Sequence, residues 1–297
     1  EYYLGEEPVY AAARDQYARY IATLLSLAKD ASAATSGAEV LALETELARL
    51  QWTPVQSRDR RAMHNPIKTT DLESRYAGFE WPFWLRGLGV EAPAVIVNQV
   101  SYVEALAKLT TSIPVPRWKA YLKAALLDRY APYLSRAFVD AEFSFRGTTL
   151  GGRKANLPRW RRAIEAINAS MGHVMAQAYV ERHFPPASRD RMSRLIENLR
   201  VALGEAIDEA DWMSAPTKRE AREKLRAFRA NIGYPPKWRD FVGLDVRADD
   251  LAGNMMRAAQ FEQGYQLARV GDPSDPEEWT MLPQVVNAQY SPPRNAI

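Results

Sequence analysis

The 297-residue sequence contains no cysteine and only three histidines, His64, His173 and His183. Without cysteine the chain can form neither a disulfide nor a thiolate metal site, although this absence does not identify its compartment. No two histidines are four residues apart and no His-Glu-x-x-His motif occurs, so the sequence lacks the pattern of a complete zinc site. We therefore predict neither metal ligands nor catalytic residues within this chain.

Long apolar runs are also lacking, because no stretch approaches the roughly 18 consecutive apolar residues that span a membrane. The sequence begins Glu1-Tyr2-Tyr3-Leu4, without an initiator methionine, a basic segment or an apolar signal core. This start resembles a processed or trimmed end, so any targeting signal is expected outside this sequence. The 39 basic and 36 acidic residues give a net charge of only +3, which does not by itself indicate nucleic-acid binding.

Apolar residues make up 47% of the sequence and recur mostly at helical spacing. The spacing predicts helices over 8–30, 40–50, 70–76, 101–110, 118–138 with a break at Pro132, 158–178, 188–207 and 249–270. Irregular connections are predicted over 31–37 and 139–156. Phe79 to Leu88 is predicted as an aromatic corner, and Val95-Ile96-Val97 as a short strand or an extended link. The sequence therefore predicts a mainly α fold with very little sheet.

Three features near residues 190–235 give finer predictions. Thr217-Lys218-Arg219-Glu220 matches a capping box, which indicates the start of a helix. Gly233, followed by Pro235-Pro236, suits a left-handed position just after the end of that helix. On the preceding helix, seven apolar residues at helical spacing are predicted to point inward: Met192, Leu195, Ile196, Leu199, Leu203, Ala206 and Ile207.

The last stretch, from Val285 to Ile297, is predicted to be extended. Val285 and Val286 are β-branched, and Pro292-Pro293 cannot continue a helix. The two prolines leave few N–H donors, which suits a strand at the edge of a sheet. A peptide can bind such an edge by adding to it as a further strand. An ordinary C-terminal tail is the alternative that this pattern leaves open.

In the stretch from Gly147 to Lys154 the glycines are spaced as in a phosphate-binding loop. Arg153 stands where the motif needs lysine, and Lys154 where it needs serine or threonine, so a flexible glycine turn is the preferred interpretation. The basic stretch from Arg153 to Arg162 offers contacts to an acidic partner or to nucleic acid, with Trp160 for stacking. Because the helical phase points Trp160 inward, a solvated basic helix start is preferred and no nucleic-acid partner is expected.

Five segments in the expected order resemble the neprilysin-like M13 zinc endopeptidases, and the bacterial oligopeptidase O branch is the most similar. They are Leu157-Pro158-Arg159-Trp160-Arg161-Arg162, Tyr179-Val180-Glu181-Arg182-His183-Phe184, Asp211-Trp212-Met213 with Thr217-Lys218, Ile232-Gly233-Tyr234-Pro235, and Val286-Asn287-Ala288-Gln289-Tyr290 with Asn295-x-Ile297. The resemblance runs along almost the whole chain and is weakest over residues 31–115.

The resemblance implies a mainly α fold: the multi-helix cap lobe of a two-lobed metallopeptidase, with a short edge β-strand at the C-terminal end. Residues 1–140 would form the helical cap lobe and 141–275 the linking helices. Residues 276–297 would be the substrate-binding edge strand of the catalytic lobe. Zn²⁺ is expected in the complete enzyme, bound outside this chain by a C-terminal catalytic segment that carries His-Glu-x-x-His.

The resemblance further implies that Asn287 and Ala288 hydrogen-bond the backbone of a peptide substrate. Gln289 stands where the family has an aromatic residue, and Ala296 where it usually has an acidic one, so the side-chain preference near Gln289 is expected to differ. The complete enzyme would hydrolyse peptides of modest size inside a closed cavity. We expect a cell-envelope, periplasmic or secreted location, with the cytoplasm left open, and marginal stability of the chain alone. A non-enzymatic helical binding or scaffold module related to this family is the alternative.

Overall fold

The computed structural model describes residues 2–279 and 281–297. This described part is mainly α, as predicted, with one two-stranded sheet. Strands β1 (Pro66–Lys68) and β2 (Ala94–Ile96) pair antiparallel, with Ile67 opposite Val95. The helices are α1 (Pro8–Leu27), α2 (Ala33–Leu50), α3 (Leu72–Arg75), α4 (Trp81–Leu88), α5 (Val100–Ser112), α6 (Val115–Tyr130), α7 (Arg136–Glu142), α8 (Arg159–His183), α9 (Pro186–Glu209), α10 (Ala215–Arg226) and α11 (Leu251–Ala268).

The chain forms two compact units, and each unit is built from two stretches of sequence. Unit 1 contains Glu1–Leu157 and Val246–Gly271, and unit 2 contains Pro158–Asp245 and Asp272–Ile297. The predicted boundaries near residues 140 and 275 concern the lobes and linkers of a larger enzyme, and that division stays a prediction.

Three helices enclose the first apolar cluster of unit 1. The predicted apolar face of α1 is buried through Ile21, Leu24 and Leu25, which pack with Val40 of α2 and Ala124 of α6. All five side chains are at most 1% exposed. Fully burying one such aliphatic side chain contributes about 1.5–3 kcal/mol, so this cluster stabilises the packing of α1, α2 and α6.

Helix α2 begins at Ala33, so the prediction of an irregular connection over 31–37 is wrong for most of that stretch. A Cβ atom on Gly37 would lie only 2.2 Å from the carbonyl oxygen of Ala18, which shows how closely α1 and α2 approach. The neighbouring Ser36 is buried, and its hydroxyl donates to a backbone carbonyl one turn earlier. The small residues that suggested a loop are therefore the contact surface between the two helices.

A polar network lies beside this cluster. Glu44 accepts hydrogen bonds from the hydroxyls of Tyr17 at 2.9 Å and Tyr3 at 3.2 Å. The hydroxyl of Tyr20 donates to Asp128 at 2.7 Å. Burial raises the pKa of the Glu44 carboxyl, and the two hydrogen bonds from tyrosine only partly oppose this effect.

A second apolar cluster lies between the sheet and helices α3 to α5. Ile67, Leu72, Tyr76, Leu85 and Val97 are among its buried members. The predicted strand at residues 95–97 is confirmed as β2, whereas no strand is predicted at the position of β1. The predicted aromatic corner contains helix α4, and its side chains pack against this cluster.

The helical run that begins with α6 is broken by proline, as predicted. Helix α6 ends at Tyr130, and Pro132 lies in a single turn of 3₁₀-helix before α7. Helix α7 then continues directly into a π-helix, Phe143–Leu150. The prediction of an irregular connection over 139–156 is therefore wrong for most of its length.

Helix α9 begins at Pro186, two residues before the predicted Ser188. Of the seven residues predicted to point inward, Ile207 is buried and Ile196 is half-buried, whereas Ala206 is exposed. The other four are exposed, which corrects the prediction for them: Met192 is 41% exposed, Leu195 48%, Leu199 56% and Leu203 53%. They do share one helix face, and we call them the α9 stripe. Their spacing gave the face correctly but not its burial, because the described residues leave about half of its surface uncovered.

Helix α10 is capped by Ser214, whose Oγ accepts a hydrogen bond from the backbone N–H of Thr217 at 3.3 Å. The predicted capping box beginning at Thr217 is therefore wrong by three residues. Gly233 has a φ of +77°, as predicted, but α10 already ends at Arg226. A Cβ atom on Gly233 would also lie 2.5 Å from Cε1 of Phe184, so both the backbone conformation and the close ring require glycine.

Candidate functional site

The C-terminal segment, residues 281–297, belongs to unit 2 and contains both predicted substrate-binding residues. Its first anchor is a kink in α8 at Met171, where φ is −131° and ψ is 38°. The side-chain nitrogen of Gln284 donates to the carbonyl oxygen of Gly172 at 3.1 Å and to Oδ1 of Asn168 at 2.7 Å. Because the kink interrupts regular helical bonding, it allows a side chain from a distant part of the chain to bind there.

Packing strengthens the same anchor. A Cβ atom on Gly172 would lie 2.4 Å from Cδ1 of Leu282. The leucine side chain therefore packs directly against the helix backbone at this glycine. The sequence-based reasoning missed this contact. The available signal was a glycine in the middle of an otherwise regular helical pattern, which often marks a close approach.

The segment ends in a tight turn. The N–H of Ser291 donates to the carbonyl of Ala296 at 2.8 Å, and the N–H of Ala296 donates back at 3.4 Å. Within the turn Asn295 has a φ of +47°, a left-handed conformation that asparagine tolerates better than most residues. The hydroxyl of Tyr290, just before the turn, donates to Oδ1 of Asn295 at 3.0 Å and so stabilises the turn.

The last residues pair with the stretch that follows α10. The N–H of Arg229 donates to the carbonyl of Asn295 at 3.0 Å, and the N–H of Ile297 donates to the carbonyl of Arg229 at 3.0 Å. The N–H of Asn231 donates to the carbonyl of Ile297 at 2.9 Å. The predicted extended end is thus present as isolated bridges and not as a regular strand, because the proline-containing turn interrupts the ladder.

An ion pair joins the turn to Glu278, which precedes the C-terminal segment in the chain. One guanidinium nitrogen of Arg294 pairs with the carboxylate of Glu278, and the other donates to the Glu278 carbonyl at 3.2 Å. Both side chains are mostly buried, at 30% and 19% exposure. A charge-assisted contact that is shielded from water in this way orders the segment more effectively than an exposed pair would.

Between its two anchors the segment leaves its backbone open. No described residue makes a backbone–backbone hydrogen bond with residues 286–288. The N–H of Ala288 instead donates to Oδ1 of its neighbour Asn287 at 2.8 Å. Both residues are exposed, and Val286 is fully exposed. The two predicted site residues therefore stand side by side, with a free backbone carbonyl and a side-chain amide that face solvent.

A cavity of about 540 Å³ lies beside this open backbone, and residues 286–288 contribute to its lining. Its apolar part comes from Phe184 at the end of α8, Met192 and Ile196 of α9, and Trp279. This volume is within the range of pockets that bind small molecules or single large side chains. Met192 belongs both to the cavity lining and to the α9 stripe, so the stripe begins at the cavity.

Neither a metal site nor a membrane-spanning helix is found among residues 2–279 and 281–297. No group of three or more His, Cys, Asp or Glu side chains in this part of the chain could hold a metal ion. The residues present thus do not fit the zinc implied by the resemblance, and no chemical step involving zinc is derived from them. No helix here combines the length and apolar character needed to cross a membrane.

The glycine-rich stretch forms a turn only at its end, where Gly151 and Gly152 follow the π-helix and Gly152 has a φ of +65°. Gly147 lies in the π-helix, where a Cβ atom would be 2.2 Å from the ring of Phe143. The guanidinium of Arg153 lies 5.4 Å from the centre of the same ring. Trp160, predicted to point inward, is 64% exposed, and this corrects the prediction. Its ring lies 5.9 Å from the guanidinium of Arg161.

Comparison with known proteins identifies the family. The family model described as "Peptidase family M13" matches residues 1–235. Endothelin-converting enzyme 1 of Rattus norvegicus is 26% identical over 271 residues, which cover 87% of this chain and 36% of that protein. Membrane metallo-endopeptidase-like 1 of Mus musculus is 29% identical over 279 residues, which cover 88% and 36%. The chain thus spans little more than a third of the length of these relatives.

Two solved structures agree with this result. The Mycobacterium tuberculosis zinc metalloprotease Zmp1, in complex with inhibitor, is 35% identical and superposes with a TM-score of 0.92 over 99% of this chain and 45% of that chain. PepO from Lactobacillus rhamnosis HN001 is 20% identical and shares the fold, with a TM-score of 0.88 over 99% and 47%. Because the family match covers most of the sequence, the chain belongs to peptidase family M13.

Proposed function

We propose that this chain is the helical, non-catalytic part of a zinc endopeptidase and that its C-terminal segment binds the backbone of a peptide substrate. In this proposal residues 1–140 form the cap lobe, 141–275 the linking helices, and 276–297 the substrate-binding edge of the catalytic lobe. Zinc and the His-Glu-x-x-His motif belong to a catalytic segment outside the described residues. The complete enzyme would hydrolyse peptides of modest size within a closed cavity.

The observation that carries the proposal is the open backbone at residues 286–288. An extended peptide beside it can accept a hydrogen bond from the side-chain nitrogen of Asn287 and donate one to the carbonyl of Ala288. The bond from the Ala288 N–H occupies Oδ1 of Asn287 and leaves the side-chain nitrogen available as a donor. Two anchors hold this stretch, at Gln284 and at the terminal turn, so its geometry is set before a peptide arrives.

The apolar surface formed by the 540 Å³ cavity and the α9 stripe supports the second part of the proposal. Covering such a surface is favourable, at about 25 cal/mol for each Å² of apolar area removed from water. We assign this surface to packing against the catalytic segment, with the peptide bound at its rim along residues 286–288. Large apolar patches on a soluble chain generally mark such interaction sites.

The compartment is part of the proposal too. The mouse relative is named a membrane metallo-endopeptidase-like protein, and we propose a cell-envelope, periplasmic or secreted location for this chain. Localisation of a tagged, full-length gene product by cell fractionation tests this. Recovery of the product only from the cytosolic fraction would contradict it.

The test of the substrate site is the kinetics of the complete enzyme, this chain joined to its catalytic segment, on an internally quenched fluorescent peptide. Asn287→Ala should lower kcat/KM about tenfold, because losing one hydrogen bond to a buried peptide backbone costs about 1–3 kcal/mol. Asn198→Ala is the matched control: Asn198 is an exposed asparagine of α9 outside the cavity lining, and kcat/KM should not change. Equal kinetics for Asn287→Ala and the unaltered enzyme would refute the site.

The α9 stripe would equally suit a non-enzymatic binding module, so this second candidate is tested in parallel. Its prediction is that a partner binds the chain tightly while no peptide is cleaved with or without added zinc. Zinc-dependent cleavage by the complete enzyme, abolished by a chelator and restored by zinc, would eliminate the binding-module candidate.

A further inference from the structure

A second cavity, of about 620 Å³, lies in unit 1. Helices α4 and α5 contribute Trp81, Trp84 and Tyr102 to its lining, among others. Strand β2 and the residues after it contribute the consecutive run from Val95 to Asn98, whereas the described lining contains no residue of β1. The cavity therefore runs along the outer edge of β2, on the side away from its partner strand.

The hydrogen-bond register shows that this edge is open. The N–H of Thr69 donates to the carbonyl of Pro93 at 3.1 Å, and the N–H of Val97 donates to the carbonyl of Asn65 at 2.9 Å. In an antiparallel pair the bonding alternates, so residues 93, 95 and 97 direct their backbone groups toward β1. Ala94 and Ile96 direct theirs away from β1, and no described residue hydrogen-bonds them. Both residues are exposed.

The cavity beside this edge is aromatic and has a polar rim. Trp81 and Trp84 meet edge to face, with ring centroids 6.1 Å apart, and Trp84 is 45% exposed. Gln51 and Asn98 lie at the rim, and both are exposed amides. Large apolar rings together with a few amide groups suit an aromatic side chain attached to a peptide backbone.

The charge of Lys68 indicates which side chain a bound strand would carry on the face away from the cavity. Lys68 pairs with Ala94 across the sheet, on the face opposite to the buried side chain of Ile67. Lys68 is exposed, and no described residue forms an ion pair with it. A strand added next to β2 places every second side chain on this face, beside Ala94 and within reach of a lysine. An acidic side chain complements that position.

We propose that the free edge of β2 binds an extended peptide by strand addition, with an aromatic side chain in the 620 Å³ cavity and an acidic side chain facing Lys68. This site lies in unit 1 and does not rest on the function proposed for the C-terminal segment. Its ligand is therefore a peptide with alternating acidic and aromatic residues, recognised through its backbone and through both faces of the strand.

The first test uses the full chain and a capped, fluorescein-labelled octapeptide of alternating Glu and Phe, with binding followed by fluorescence anisotropy. We expect saturable binding. Two N-methylated peptides then identify the bonded backbone groups, one methylated on the Glu nitrogens and one on the Phe nitrogens. An antiparallel strand presents its Glu N–H groups to β2, so the first should bind at least tenfold more weakly and the second nearly unchanged. A parallel strand reverses this result. Equal binding of both methylated peptides, or no binding of the parent peptide, would overturn the proposal.

The second test uses variants of the chain. Lys68→Glu should weaken the Glu–Phe octapeptide at least fivefold and strengthen a Lys–Phe octapeptide, and this exposed substitution leaves the fold intact. Trp84→Ala should weaken the Glu–Phe peptide about tenfold, whereas Trp160→Ala, at an exposed tryptophan of unit 2, should not. An unchanged preference in Lys68→Glu would contradict the proposal. Loss of binding in Asn287→Ala would also contradict it, because that result would place the peptide in the C-terminal segment.

Discussion

Unit 1 and unit 2 contain helices with equally clear apolar faces but bury them very differently. The three apolar clusters found among the described residues all lie in unit 1. In the described part of unit 2 the buried apolar residues are few and mostly small: Ala166, Ala176, Val180, Ile207 and Ala296. The large side chains of the α9 stripe are about half exposed. The difference shows that an apolar helix face does not by itself predict burial, because contacts with other parts of the described chain decide whether the face is covered.

The strongest test of this contrast compares two leucine truncations in the isolated chain. Leu24 is completely buried in unit 1, so Leu24→Ala should lower the free energy of unfolding by about 3–5 kcal/mol. Leu199 is 56% exposed in α9, and Leu199→Ala should change it by less than about 0.5 kcal/mol. Urea denaturation followed by circular dichroism measures both. Similar losses in the two variants would mean that α9 is covered in solution and that the contrast is wrong.

Glycine substitutions sharpen the contrast around the site. Gly233→Ala should destabilise unit 2 by about 2–3 kcal/mol, because alanine resists a φ of +77° and its Cβ would meet Phe184. Gly264→Ala is the control: this residue lies within α11 with no atom near its added Cβ, so helix propensity should stabilise unit 1 by about 0.5–1 kcal/mol. The measurement is the midpoint of thermal unfolding. A Gly233→Ala variant as stable as the unaltered chain would contradict the description of this turn.

The α9 stripe gives the next effect in size. Leu195→Glu combined with Leu199→Glu should leave the isolated chain nearly as stable as before, since both side chains are already about half exposed. If the proposed function is right, the same pair should weaken association with the proposed catalytic segment at least tenfold, or by about 1.4 kcal/mol, as measured by calorimetric titration. As a control, Val9→Glu alters an exposed apolar residue of α1 and should not affect association. Equal affinities for both variants would exclude the stripe from the interface.

The smallest expected effect concerns the pH dependence of unit 1. Burial raises the pKa of Glu44 in the folded chain, so its contribution to stability is complete below the unfolded value and is lost as pH rises through the folded value. Glu44→Gln removes the buried charge and keeps an oxygen that accepts from Tyr17. Its stability relative to the unaltered chain should therefore rise as pH increases above the unfolded pKa of glutamate, about 4.3, and level off above the raised pKa of Glu44 in the folded chain. Glu39→Gln, at an exposed position of α2, should show no such trend. A pH-independent difference for Glu44→Gln would contradict the account.

The sequence predicted well those features that depend on neighbouring residues. Helix α1 and the break at Pro132 follow from spacing and from the missing N–H of proline. The start of α2 and the π-helix were not predictable in this way, because Gly37 and Gly147 are set by contacts with other helices or rings. The prediction that the α9 stripe is buried failed for the same reason. Local pattern fixes a face, but tertiary contacts decide whether it is covered.

The candidate site shows the same limit. Resemblance to the family pointed to Asn287 and Ala288, and their position at the rim of a cavity is compatible with the proposed role. The residues that hold this stretch in place were missed. Gln284 bonds to α8 across 112 and 116 residues of sequence, and no spacing rule connects such distant positions. Only the glycine at position 172 hinted at a close approach.

The most direct test of the central claim is amide hydrogen exchange at residues 286–288 in the complete enzyme, with and without a non-hydrolysable peptide analogue. These amides make no backbone–backbone hydrogen bond in the described chain, and only that of Ala288 is bonded, to the side chain of Asn287. The amides of Val286 and Asn287 should therefore exchange rapidly in the free enzyme. The proposed bonds use the Asn287 side chain and the Ala288 carbonyl, so the account predicts that the peptide lying along this stretch shields its amides from water and slows their exchange, while the bonded amides of Ser291 and Ile297 change little. Saturating peptide that leaves residues 286–288 exchanging as fast as before would contradict the claim that this segment binds the substrate backbone.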